Sequence, residues 1–188
     1  MRLFRPSLVL ALAPLIAAAA VIDRIAVVVG KNVITETELL REVRLTEFLN
    51  NQPLDLGPAA RRAEADRMID QQLIADEMKL SDFIMPSAAD AAPLVAQVEH
   101  RFHGAAPMRA ALEKYGLTEA DLRQYLLWQV SVLRFTEMRF PPAIPTEPES
   151  SANRAQEDQS AASDRQLDDW LKQTRANTRI ELKPEAFR

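Results

Sequence analysis

From Ile25 onward, the hydrophobic pattern begins with a short β-hairpin. Residues 25–29 form a run rich in β-branched side chains, and Val33-Ile34 forms a short return. Between them, Gly30-Lys31-Asn32 contains two residue types that tolerate the positive φ of a tight turn. Thr35 and Glu38 then have the spacing of a capping box, so a helix is predicted to begin directly after the hairpin.

Apolar residues at helical spacing predict five helices between the hairpin and residue 140. Their predicted limits are Thr35–Leu49, Ala59–Leu80, Ser87–Phe102, Met108–Tyr115 and Thr118–Phe140. Ser87 with Asp90 and Thr118 with Asp121 also have capping-box spacing at the starts of the third and fifth helices. Pro93 lies inside the third of them, so we expect a kink or a late start there. In the fifth, ten of the sixteen residues from Tyr125 to Phe140 are hydrophobic. One buried stripe needs fewer, so this helix is either central to a bundle or leaves an apolar face open.

The C-terminal part of the chain predicts a linker, a helix and a strand. Residues 141–163 combine four prolines with Ser, Ala, Gln and charged residues, which is typical of a flexible linker. Residues 164–188 predict a helix that begins near Ser163, with Trp170 on its apolar side, and a strand over 178–183. A lone strand needs a partner, and the N-terminal hairpin offers one. We therefore predict a mainly α fold: a helical bundle of about five to six helices, in which residues 21–140 form the helical domain and residues 164–188 pack back on it. A small β-sheet, formed by the N-terminal hairpin and the C-terminal strand, joins the two ends of the chain.

The first twenty residues have the pattern of a signal peptide. Arg2 and Arg5 precede an apolar stretch around Pro14, and Ala18-x-Ala20 has the small residues of a cleavage site. We expect cleavage after residue 20, export and no stable membrane insertion afterwards. An uncleaved membrane anchor is the alternative, because the apolar stretch is almost long enough to span a bilayer.

Composition and motifs exclude several function classes. The 188 residues include no Cys, which excludes disulfides and thiolate metal sites, and the four Gly stand apart, which excludes glycine-rich phosphate loops. The net charge of −4 gives no basic field for nucleic acid. His100 and His103 lie beside Glu99, but two histidines without further ligands are more typical of a solvated helix end than of a metal site. The remaining acidic residues are expected on solvated helix faces. We expect no catalytic residue, no metal and no cofactor, and hence no enzyme.

Apolar residues are the better candidates for function. The candidate peptide-binding residues are Met108, Tyr115, Tyr125, Trp128, Val132, Phe135, Met138 and Phe140. Methionine is adaptable and aromatic rings are rigid, and both suit a groove that binds many unfolded sequences. The alternative is that these residues form the core of a small bundle.

Several segments resemble SurA-like periplasmic chaperones. Residues 25–39, IAVVVGKNVITETEL, resemble the opening of the SurA N-terminal domain, and residues 67–78 are similar to the second helix of that domain. Residues 115–123 and the helix after them look like its closing segment. Residues 167–182 look like the C-terminal helix and strand that return to complete the domain. The family often has Asn where this chain has Gly30, and both residues are comfortable in the turn.

The resemblance implies a chaperone core without an isomerase. SurA proteins carry one or two parvulin-type prolyl isomerase domains before the returning helix, and residues 141–163 are too few to hold one. It thus implies a chaperone that is exported to the periplasm and whose clients are unfolded outer-membrane or secreted proteins. The function we expect is that of an ATP-independent holdase. The alternatives are an envelope-assembly or scaffolding subunit that holds one folded partner and, less favoured, a peptidyl-prolyl isomerase. We expect a monomer or weak dimer, with exchange of the C-terminal helix and strand as one route to a dimer.

Overall fold

The computed structural model describes residues 23–141 and 152–188, with side chains described from residue 162 onward in the second range. The strands are β1 (Ile25–Val29), β2 (Asn32–Thr35) and β3 (Ile180–Leu182). The helices are α1 (Glu36–Leu49), α2 (Pro58–Leu80), α3 (Ala92–Arg101), α4 (Ala105–Lys114), α5 (Glu119–Arg139) and α6 (Ala152–Asn177). Short 3₁₀ turns lie at Ala88–Ala91 and Pro184–Phe187. The predicted mainly α fold with a small sheet is confirmed.

The two ends of the described chain meet in one antiparallel sheet with the strand order β2-β1-β3. Val28 pairs with Val33 on one side and with Glu181 on the other. Gly30 adopts a φ of 59°, which suits glycine at the first position of a two-residue turn. Its N–H donates to the Arg179 carbonyl at 2.8 Å, so the turn is also tied to the C-terminal segment. The predicted pairing of the C-terminal strand with the hairpin is confirmed.

Two helices begin at capping boxes that the sequence predicts. The Thr35 hydroxyl accepts from the Glu38 N–H, and the Glu38 carboxylate accepts from the Thr35 N–H at 2.9 Å. Thr118 and Asp121 form the same reciprocal pair at the start of α5. Each box satisfies N–H groups that have no partner within the helix.

The predicted third helix starts later than Ser87. Ser87 and Asp90 form a capping box, but it begins the 3₁₀ turn at Ala88–Ala91. Helix α3 proper begins at Ala92, so Pro93 occupies its first turn, where a missing N–H removes no intrahelical bond. Of the two expectations for Pro93, the late start is the one observed.

The last helix starts earlier than predicted. Helix α6 begins at Ala152, so residues 152–163 of the predicted linker are helical, and the expected start near Ser163 is wrong. The four prolines all precede Ala152, and the residues after it are mostly Ala, Gln, Arg and acidic residues that form helices readily. The predicted signal peptide (1–20) and residues 142–151 lie outside the described residues.

The core consists of three clusters that meet along α1, α2 and α5. The first joins the sheet to α1, α2 and the C-terminal Ala186 and Phe187. The second joins α1, α3, α4 and the first half of α5. The third joins the C-terminal half of α2 to Phe135 of α5 and to α6. Helix α5 therefore belongs to two of the three clusters. None of the helices searched within the described residues is long and apolar enough to cross a membrane.

Candidate functional site

A cleft of about 350 Å³ opens between α1, α2 and the first half of α5. The connection after α2 contributes Met85 to its rim. Its apolar wall consists of Leu45, Met68, Met85, Tyr125, Leu127 and Trp128. The volume lies at the lower end of the range for small-molecule pockets, so the cleft has room for one or two side chains of a larger partner.

Two of the eight predicted peptide-binding residues, Tyr125 and Trp128, line this cleft. Both come from consecutive turns of α5, and both are half-buried. Their rings also contact the core clusters on either side, so the cleft wall is anchored in the fold. The hypothesis of a peptide-binding groove is therefore limited to the face of α5 that carries Tyr125 and Trp128.

Three of the predicted peptide-binding residues are buried in the core and do not line the cleft. Phe135 is 0 % exposed and packs edge-on against Phe83 with ring centroids 5.5 Å apart. Met108 of α4 is buried in the second cluster. Phe140 is also buried, with its ring centroid 6.2 Å from that of Trp170. The apolar excess of α5 exists because this helix packs on two clusters, one on each side.

The remaining three lie elsewhere. Tyr115 packs edge-on against Phe48, and its hydroxyl donates to the Gln52 carbonyl at 2.6 Å, so it closes the loop after α1. Val132 is half-buried against the third cluster. Met138 is 52 % exposed near the end of α5 and does not line the cleft.

The cleft also contains charged groups, most of which have partners. Glu38 is engaged in its capping box with Thr35, and Asp121 in its own with Thr118. The Arg41 guanidinium lies 3.7 Å from the Asp121 carboxylate. These groups are therefore at least partly neutralised or hydrogen-bonded.

Glu42 differs from them, because only through-space charge interactions reach its carboxylate in the described part of the chain. Burial raises its pKa from 4.5 to about 7, and the neighbouring Glu64 adds to the shift. A carboxylate desolvated in this way favours its neutral form unless a cation approaches. At neutral pH Glu42 is thus poised between its two protonation states.

Glu64 lies behind Glu42 in the protein interior. It is 2 % exposed, and its carboxylate accepts from the Thr46 hydroxyl at 3.0 Å and pairs with Arg67. Burial raises its pKa as well. The pKa of Tyr125 is raised first by burial and then by the charges of Glu42 and Glu64. The three groups form one electrostatic neighbourhood on the inner side of the cleft.

Two further polar groups of the cleft wall lie on α5. The Trp128 Nε1 is buried and is without a hydrogen-bond partner among the described residues. An unpaired buried donor costs about 1–3 kcal/mol. Ser131 is fully buried and donates to the Leu127 carbonyl at 2.8 Å. Among the described residues, the Trp128 Nε1 is therefore the donor of the cleft wall that is left without a partner, whereas the Ser131 hydroxyl is satisfied.

Exposed apolar residues continue from the rim of the cleft. Met85 is 52 % exposed and lines the cleft, while its neighbour Ile84 is 88 % exposed. Leu80, at the end of α2, is also largely exposed. Phe83 holds this connection in place through its contact with Phe135. The cleft thus opens beside a short apolar surface.

Sequence reasoning missed the acidic part of the site. It places acidic residues on solvated faces, whereas Glu47 and Glu64 are buried and Glu42 is half-buried. A pattern that points to Glu42 is present: Glu38, Glu42 and Leu45 recur at i, i+4 and i+7, so one helix face carries both charges and a core leucine.

The described residues contain no group of three or more His, Asp or Glu side chains that is arranged to hold a metal ion. His100 and His103 border a separate depression with Ala96, Glu99 and Gly104.

The sequence comparisons with known proteins gave no match, so the geometry of the cleft is the basis for inferring the function. No family model matches the chain, and no curated protein is significantly similar to it in sequence.

Proposed function

We propose that this chain is an ATP-independent periplasmic chaperone of the SurA-like type, a holdase that binds unfolded outer-membrane or secreted polypeptides. The observation that carries the proposal is the cleft between α1, α2 and α5. Aromatic and methionine side chains line it, and Met85 joins it to the exposed apolar residues Ile84 and Leu80. This site replaces the whole apolar face of α5 as the client-binding surface.

The chemistry of the wall suits transient binding of many sequences. Met68 and Met85 adapt their shape to different side chains, while Tyr125 and Trp128 offer rigid apolar area. A cleft of about 350 Å³ buries only a small part of a client, so each contact is weak. Affinity of about 1 µM is expected for such a site, and it permits release.

Client release in this mechanism needs no nucleotide. The chain contains no GxxxxGK[ST] loop that would hold a nucleotide phosphate. A client therefore leaves when its own folding or transfer to another protein removes the apolar segment from the cleft. The amount of protected client then depends on the concentration of the chaperone.

The test is light scattering after a urea-unfolded outer-membrane β-barrel protein is diluted into buffer without nucleotide. The chain in stoichiometric amount is expected to suppress scattering. Met85 and Met138 are each 52 % exposed, and only Met85 lines the cleft, so they form a matched pair. Met85→Asp is expected to reduce suppression, and Met138→Asp is expected to retain it.

Unchanged scattering with the folded chain would reject general chaperoning and direct attention to a single folded partner. Equal loss of suppression in both methionine variants would reject the cleft as the client site.

A further inference from the structure

We infer that the cleft selects client segments in which a lysine or arginine lies among apolar residues, and that Glu42 receives the cation. The inference rests on the proposed function and names its substrate class. Two observations carry it: the balance of charge in the cleft and the shape of the apolar wall around that charge.

The charge balance favours a cationic occupant. Three carboxylates, those of Glu38, Glu42 and Asp121, line the cleft against one guanidinium, that of Arg41. Arg41 lies beside Asp121, while Glu38 is held by Thr35. The carboxylate left for a ligand is that of Glu42, which accepts no hydrogen bond from the described residues.

The apolar wall favours a long aliphatic cation over a small ion. A lysine or arginine side chain lays its methylene stem along apolar surface and keeps its charged end at a polar group. Met68 and Leu127 offer surface for the stem, and the aromatic rings of Tyr125 and Trp128 lie in the same wall, where an aromatic ring attracts a cation. A polypeptide segment supplies this side chain together with apolar neighbours for Met85 and the exposed residues beside it.

Cation binding in the cleft is coupled to the proton on Glu42. The charged and titratable groups that face Glu42 come from α1, α2 and α5, and they are Glu38, Arg41, Glu64, Arg67, Asp121 and Tyr125. A bound cation stabilises the carboxylate and releases the proton. Binding of the cationic segment therefore strengthens as pH rises from 6 to 8. A neutral apolar segment that covers Glu42 favours its protonated form, so its binding weakens over the same range.

The experiment compares three fluorescent peptides that share one apolar sequence and carry lysine, norleucine or glutamate at the central position. Fluorescence anisotropy with the full chain gives each Kd at pH 6 and pH 8. At pH 8 we expect the lysine peptide to bind about fivefold or more tightly than the norleucine peptide, as one charge-assisted pair provides. The glutamate peptide is expected to bind most weakly.

Two variants and a control assign the effect. Glu42→Gln is expected to abolish the lysine preference and its pH dependence. It is expected to keep the norleucine Kd that the wild type has at pH 6, where Glu42 is mostly neutral, which also shows that the cleft is intact. Arg41→Gln removes the opposing cation and is expected to increase the preference. Glu113→Gln makes the same charge change on an exposed face of α4, away from the cleft, and is expected to leave all values unchanged.

Equal affinity of the wild-type chain for the lysine and norleucine peptides would overturn the inference and leave the proposed function standing. A preference that persists in Glu42→Gln would overturn the role of Glu42. Absence of binding by every peptide, including norleucine, would reject the proposed function and the inference together.

Discussion

The Arg175 guanidinium of α6 donates through Nε to the Asp70 carboxylate of α2 at 2.5 Å, across 105 positions of sequence. The same side chain donates through Nη2 to the Asp66 carbonyl at 2.6 Å and lies near the Asp66 carboxylate. Its hydrogen bond to Asp70 is the main reason that the pKa of Arg175 is raised. One side chain thus attaches the C-terminal helix to the second helix at three atoms.

Arg175→Lys is expected to loosen α6 on α2, because lysine cannot reproduce the forked geometry of the guanidinium. The free energy of unfolding should fall by about 1 kcal/mol, discounted for partial exposure of the pair, and the loss should be smaller in high salt. Hydrogen exchange of the α6 amides measures the change most locally. Arg165→Lys, on an exposed face of the same helix, is the control. Equal exchange in both variants would contradict this role of Arg175.

Phe135→Ala is expected to lower the free energy of unfolding by about 3–5 kcal/mol, because it leaves a cavity in a fully buried cluster. Met138→Ala, at an exposed position one turn further along α5, should change it by less than about 0.5 kcal/mol. Urea unfolding followed by circular dichroism gives both values. A stable Phe135→Ala variant with impaired client binding would mean that Phe135 is a binding residue after all.

Removal of residues 184–188 is expected to destabilise the whole sheet region. Phe187 is buried in the cluster formed by β1 and α2, and the Arg61 guanidinium donates to the Ala186 carbonyl at 3.0 Å. Phe187→Ala alone should cost about 3–5 kcal/mol. Glu185→Ala, at an exposed position in the same segment, should be nearly neutral. Thermal unfolding distinguishes the two, and similar melting temperatures would refute an anchoring role for Phe187.

The pKa of Glu42 gives the stability a specific pH dependence. The folded chain raises this pKa from 4.5 to about 7, so between these pH values the folded state binds more protons than the unfolded state. Stability should therefore decrease as pH rises through this window. Glu42→Gln should reduce that decrease and should be more stable than the wild type at pH 8, on the order of 1–3 kcal/mol. Glu64 also has a raised pKa, so part of the decrease in stability with rising pH should remain in the Glu42→Gln variant.

Urea titrations of wild type, Glu42→Gln and Glu113→Gln at pH 5.5 and pH 8 measure this effect. Loss of stability in Glu42→Gln at pH 8 would show that the charged carboxylate is favourable where it lies, in contradiction to its burial. The carboxylates with lowered pKa, such as Asp90 at about 2, lose their contribution only at lower pH and do not interfere.

Local pattern was sufficient to predict most of the fold. The capping boxes at Thr35 and Thr118 gave two helix starts, and the lone strand at the C-terminus had to pair with the hairpin. The start of α6 was harder, because a polar run after four prolines fits a linker and a helix equally well. Only the residues from Ala152 onward have the composition that favours a helix, and the prolines before them do not.

The site was less accessible to sequence reasoning than the fold. The apolar residues of α5 were identified as one set, but their division into core and cleft depends on which neighbours cover each face. Phe135 is covered by Phe83 and α2, while Trp128 faces the gap beside α1. Such long-range packing has no local signature. Glu42 was missed because the residues of α2 and α5 that line the cleft with it are distant in the sequence.

Photo-crosslinking tests the central claim, that the cleft receives unfolded polypeptide, most directly. A benzophenone amino acid is placed at Gln124, which lines the cleft, and in a second chain at Glu113, which does not. Each is irradiated with a urea-diluted outer-membrane β-barrel protein. We predict crosslinks to the client from position 124, reduced by Met85→Asp, and background yield from position 113. Equal yields from the two positions, or none from position 124 while aggregation is suppressed, would contradict the account.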